Sequence, residues 1–148
     1  VKDSWIVFTA ADLPFAFSDF DQVLIASQKH QHCGLFVGSK MHPDSKIKRD
    51  FKRRLSSAVF YFLRYVLLNL KTKDTQGTIF MKIQYLNVFE KIQAKDYFFT
   101  TELIYYLKEK TEIIEVPIIY ENELRPSKVN VLKDGYKSLI QLLKLRFR

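Results

Sequence analysis

At 148 residues, 47% of them apolar and 15% aromatic, the chain has single-domain length and the material for a real core. That composition excludes a disordered tail, a collagen-like repeat and a disulfide-stapled miniprotein. Lys and Arg number 24 against 16 Asp and Glu, a net +8. The charge is concentrated: Lys40–Arg54 carries net +5 and Arg125–Arg148 net +6, so the remainder sums to −3. Each basic segment is suited to phosphates, whether of nucleic acid, nucleotide or lipid headgroup.

The longest run without Lys, Arg, Asp or Glu is His30–Ser39. That is half of the roughly 20 apolar residues needed for a bilayer crossing. Cys33 is the only cysteine, so an internal disulfide is impossible and a reducing compartment is expected. Nothing at the start of the sequence reads as a secretory signal, and a cytoplasmic location is the expectation.

In chain order, Trp5–Ala11 is an apolar run ended by Asp12 and Pro14, which predicts a buried strand. A helix is expected from Ser18-Asp19, with Asp19 and Asp21 in the first turn and Gly34 closing it. Leu35-Phe36-Val37 is a second short strand ending at Gly38-Ser39-Lys40, and Met41–Lys48 a loop. A long helix is predicted from about Asp50 to Leu70, with Phe51, Leu55, Ala58, Phe62, Tyr65 and Asn69 or Leu70 on one face at core-like spacing. Basic residues crowd its start, where they oppose the helix dipole and so serve something other than helix stability.

Thr78–Met81 reads as a third strand, and Tyr85–Ile92 and Thr100–Lys110 as helical. Ile113–Tyr120 is the strongest strand, interrupted only by Glu115 and Pro117; the proline predicts an edge or a bulge. The last helix, about Val131–Arg148, is basic and amphipathic, with a Lys and Arg stripe beside an apolar one. Strands alternating with helices predict an α/β fold with a mainly parallel sheet.

Chemistry is expected where strands end, which points to Asp12 and to Ser39-Lys40. A carboxylate beside cations fits a metal–diphosphate site. The competing reading is that Asp12 caps a turn and Lys40 is solvated. His30-Gln31-His32-Cys33 lacks partner ligands at zinc-like spacing and reads as helix-terminal polar residues. With four glycines the chain has no Gly-rich phosphate loop. Aromatic and basic residues interleave along Phe51–Tyr65, as in some nucleic-acid binders. An apolar stripe beside Lys and Arg suits an anionic membrane surface better, and nucleic acid is not the expected partner.

Six blocks then follow one another: Ile6-Val7-Phe8-Thr9-Ala10-Ala11-Asp12-Leu13, Phe36-Val37-Gly38-Ser39-Lys40, Asp74-Thr75-Gln76-Gly77, Thr101-Glu102-Leu103, Glu115-Val116-Pro117-Ile118 and Ser127-Lys128-Val129. In this order they resemble the dolichyl-phosphate mannose and glucose synthase branch of the family 2 glycosyltransferases. The resemblance implies a partial GT-A fold, a Rossmann-like three-layer sandwich with a mainly parallel sheet. Residues 1–148 would form a single domain, the C-terminal portion of the family's domain without its first nucleotide-binding units. It implies transfer of a sugar from a nucleotide sugar to a polyprenyl phosphate at the cytoplasmic face of a membrane, with Mg²⁺ or Mn²⁺ on the donor diphosphate.

Position by position, the resemblance makes Asp12, Asp74 and Glu102 the catalytic carboxylates. Asp12 is also the metal ligand, as the second Asp of an Asp-x-Asp motif. It gives Lys40, Arg49, Arg125, Ser127 and Lys128 to the substrate phosphates, and the anionic membrane surface to residues 46–66 and 131–148. Ala10 stands where the first Asp of the metal motif belongs, and Lys40 where an Arg is usual. Without the missing units the 148 residues are not expected to catalyse alone, and the strand edge at Trp5–Ala11 invites a homo-oligomer. The alternative is a non-catalytic, degenerate glycosyltransferase-like module that binds anionic lipid or a protein partner.

Overall fold

The structure, a computed structural model, describes residues 4–9, 17–46, 51–119 and 131–148. Its strands are β1 (Trp5–Phe8), β2 (Leu35–Ser39), β3 (Ile79–Lys82) and β4 (Ile113–Pro117). Its α-helices are α1 (Ser18–Lys29), α2 (Phe51–Leu68), α3 (Phe99–Leu107) and α4 (Val131–Arg146). Tyr85–Ile92, expected to be helical, falls largely within a 3-10 helix, Ile83–Lys91. Gly34 does not close α1, which ends at Lys29 with His30 as its cap. A Cβ on Gly34 would run into the Tyr85 ring, so this glycine is required by packing rather than by a helix end.

Two compact units divide the chain: Val1–Ile47 with Thr72–Glu121, and Lys48–Lys71 with Asn122–Arg148. The first holds a four-stranded sheet in the order β1-β3-β2-β4. β3 is antiparallel to both β1 and β2, and only the β2–β4 pair is parallel. The protein is therefore mixed α/β, and the expectation of a mainly parallel sheet is corrected.

The path of the chain between β2 and β3 sets the direction. The chain leaves at the carboxyl end of β2 and returns to that same end, where the Gly38 amide donates to the Thr78 carbonyl at 2.8 Å. The strand that follows, β3, must then run backwards.

Both faces of the sheet are apolar, as its short uncharged runs require. On one face Phe36, Phe80 and Val116 form a buried cluster with Val23 of α1 and Cys33, with Trp5, Val7 and Phe20 packed against it. On the other, Phe8 meets Phe89 and Phe99 with ring centroids 5.6 and 5.7 Å apart. β2 is buried along its whole length, as befits a strand with neighbours on both sides. Pro117 lies in β4, an edge strand, as its missing amide proton predicts.

In the second unit α2 and α4 pack against each other. Leu68, Leu142 and Leu145 are buried. The face of α2 read as core-facing, Phe51, Leu55, Ala58, Phe62 and Tyr65, is exposed. Spacing identifies a coherent face, but it does not say which side of the helix that face meets.

Candidate functional site

The carboxyl end of β2 gathers loops from distant parts of the first unit. The Asp74 carboxylate takes the Lys40 amide on Oδ2 and the Gln76 amide on Oδ1, each at 2.9 Å. Glu115, on β4, takes the Lys73 amide at 2.9 Å and the Asp74 amide at 3.0 Å, one on each oxygen. Four backbone N–H groups in two carboxylates make a charge-assisted clasp, stronger than neutral hydrogen bonds would give. It holds the two ends of the excursion from β2 to β3 together.

Neighbouring contacts extend the network. Thr75 and Thr101 share a buried hydroxyl hydrogen bond of 2.9 Å. Thr9, at the end of β1, lies 3.4 Å from the Thr78 hydroxyl. Ser45 donates to the Ser39 carbonyl at 2.6 Å and accepts from the Ile118 amide at 3.0 Å, strapping the loop after β2 to the end of β4. Gly77 lies so close to the Gly38 carbonyl oxygen that a Cβ there would overlap it. Only glycine permits that approach.

Glu102, the first-turn acid of α3, is 2% exposed. Its Oε2 accepts both the Gln93 amide at 2.7 Å and the Ala94 amide at 3.2 Å. A carboxylate at a helix start is favoured by the dipole, and here it also fixes the preceding loop. Asp74 is 9% exposed. Both carboxylates hold backbone, so each is a positioning group for the loops around the strand ends.

Of the residues singled out from sequence, the structure brings Lys40 and Asp74 into direct contact. Glu102 stands one residue after Thr101, which joins the same network. Asp12, Arg49, Arg125, Ser127 and Lys128 lie outside the described residues, as does Ala10. Sequence reasoning gave no separate role to Glu115 or Ser45. For Glu115 a signal existed, since a lone carboxylate inside a β-branched strand needs donors; Ser45 offered none. The loops here carry the cations Lys40, Lys46 and Lys73.

His30 caps α1 by donating its amide to the Ala26 carbonyl at 2.9 Å, and its Nδ1 lies 3.8 Å from Glu112. Burial pushes the Cys33 thiol up to about 11, against an ordinary 9.0. A thiol so raised is no nucleophile near neutral pH. Among the described residues no three His, Cys, Asp or Glu side chains form a metal-holding group. Among them, too, no helix is long and apolar enough to cross a membrane.

No protein-family model, curated protein or solved structure gives a significant match to this chain.

Proposed function

We propose that this chain contributes the acceptor side of a glycosyltransferase that moves a sugar from a nucleotide sugar to a polyprenyl phosphate. One observation carries the reading. The sequence blocks on which the resemblance rests are far apart in the chain, yet four of the six are joined by hydrogen bonds of Asp74 and Thr75, and Thr9 of a fifth lies 3.4 Å from the neighbouring Thr78 hydroxyl.

In this reading an acceptor phosphate oxygen forms the bond to the anomeric carbon as the bond to the nucleoside diphosphate breaks. The oxygen is already anionic, so the protein's task is positioning and charge stabilisation rather than proton removal. Lys40 supplies positive charge at the carboxyl end of β2, while Asp74, Glu115 and Glu102 fix the loops there. Mg²⁺ or Mn²⁺ bound through Asp12 would neutralise the departing diphosphate. Asp12 is outside the described residues and Ala10 offers no ligating atom, so no step is derived through the ion.

The test is transfer of radiolabel from a panel of nucleotide sugars to polyprenyl phosphate by the product of the complete reading frame. The reading expects transfer that weakens about tenfold or more in Lys40→Ala and collapses in Asp12→Asn. A folded protein that transfers from no donor would overturn it. Ala10 favours one other reading, a degenerate module that binds its lipid or protein partner without turnover.

A further inference from the structure

One apolar face of α2 is left uncovered. Phe51 and Phe62 are 74% and 62% exposed, and Leu55, Ala58, Val59, Tyr65 and Val66 are exposed with them. A helix face meant for water is polar. Between Leu55 and Leu70 the only charged residue is Arg64. It is 3% exposed, turned away from this face, with its guanidinium 4.9 Å from the Phe60 ring.

The uncovered residues keep a heptad. Leu55 and Phe62 stand seven apart, as do Phe51, Ala58 and Tyr65, and the two sets alternate at spacings of four and three. That is the seam of a paired helix, running the length of α2 to Asn69, whose φ of 51° follows the helix end. The exposed fractions of its six large side chains amount to roughly 600 Å², as much as the largest apolar patch usual on a monomer. Two such faces brought together bury about 1,200 Å², within the range of specific interfaces.

Charge and shape select the occupant. From Leu55 onward the face holds no cation for a lipid phosphate or an acidic partner, so its match is another uncharged apolar helix. The same face of a second copy is such a helix, and in antiparallel order it is self-complementary. About a two-fold axis midway between Ala58 and Phe62, each Ala58 meets the other copy's Phe62, the smallest residue of the seam against one of its largest. Leu55 meets Tyr65 on either side, and Phe51 reaches Asn69. A parallel pair would instead set Phe62 on Phe62, leave Ala58 facing Ala58, and bring the two exposed Arg54 side chains together. The net +8 of each copy is screened beyond about 8 Å at physiological salt.

We infer that the chain forms a two-fold dimer through α2, with two antiparallel copies of the seam and Ala58 of each packed against Phe62 of the other. The inference goes beyond sugar transfer and does not depend on it.

The experiment is sedimentation of the full chain over roughly 1–100 μM, with circular dichroism as a check on folding, and a dimer of micromolar Kd is expected. Phe62→Gln alters an exposed position and should weaken the dimer about a hundredfold, because each substitution counts twice across the two-fold. Ala58→Phe should weaken it about tenfold by crowding Phe62. The exchanged variant, Ala58→Phe with Phe62→Ala, should recover most of the lost affinity. Leu24→Gln, at an exposed position of α1, should leave the dimer unchanged. A folded chain that stays monomeric at the top of that range would overturn the inference. So would a dimer that survives Phe62→Gln, one that Ala58→Phe strengthens, an exchanged variant as weak as Ala58→Phe alone, or a monomer that floats with vesicles containing phosphatidylserine.

Discussion

Asp74→Asn and Glu102→Gln are the same chemical change, an oxygen replaced by an amide nitrogen, yet their costs should differ. Asp74 uses its two oxygens for two separate amides, Lys40 on Oδ2 and Gln76 on Oδ1. Asparagine keeps one acceptor and turns an NH₂ toward the other N–H, so one backbone donor is left facing a donor. At 9% exposure little water can relieve it. The loss is about 3 kcal/mol, one unmet backbone group plus the charge assistance of the surviving bond.

Glu102 instead receives the Gln93 and Ala94 amides on one oxygen, Oε2. Glutamine can present its carbonyl oxygen to both, so at this oxygen the loss is charge assistance, about 1 kcal/mol. Trp5 is the only tryptophan and packs 5.5 Å from Phe36, so its fluorescence follows unfolding of the sheet unit. A unit of this size shifts its Tm by about 4–8 °C per kcal/mol. Asp74→Asn should therefore lower Tm by more than about 10 °C, and Glu102→Gln by less than about 8 °C. Equal shifts, or a larger one for Glu102→Gln, would refute the contrast between one amide on each Asp74 oxygen and two on a single Glu102 oxygen.

Gly77→Ala places a Cβ into the Gly38 carbonyl and should cost about 2–3 kcal/mol in urea unfolding. Gly135→Ala, where nothing lies within 4 Å of an added Cβ, should instead stabilise α4 by about 1 kcal/mol. Cys33 should resist a thiol reagent at pH 8 until denaturant is added, since its thiol is buried and pushed up to about 11. The folded value lies above the unfolded 9.0, so its contribution to stability is complete below pH 9 and falls away as pH rises toward 11. Rapid labelling of the native protein would contradict that burial.

The elements themselves were largely legible. Uncharged runs such as Leu35-Phe36-Val37 and the apolar periodicity of residues 51–68 name strand and helix directly, because burial and period act locally. Strand direction was not legible. The sequence between β2 and β3 reads as an ordinary crossover helix, but the chain comes back to the end of β2 that it left, and β3 runs antiparallel. The sense of the α2 face was not legible either: a stripe of Phe, Leu and Val at helical spacing looks the same whether it is buried or left exposed. At the candidate site, Lys40 and Asp74 were visible through their blocks. Their contact joins residues 34 apart, which no local pattern encodes.

That contact has a consequence for how the protein tolerates change. The ends of the excursion between β2 and β3 are tied by Asp74 and Glu115, so the sheet does not depend on the intervening helix to bring them together. In a flexible loop each doubling of length adds only about 0.6 kcal/mol of closure cost, and here the closure is held by the clasp itself. The segment is a tethered insertion, and changes in its length should leave the register of the four strands as it is.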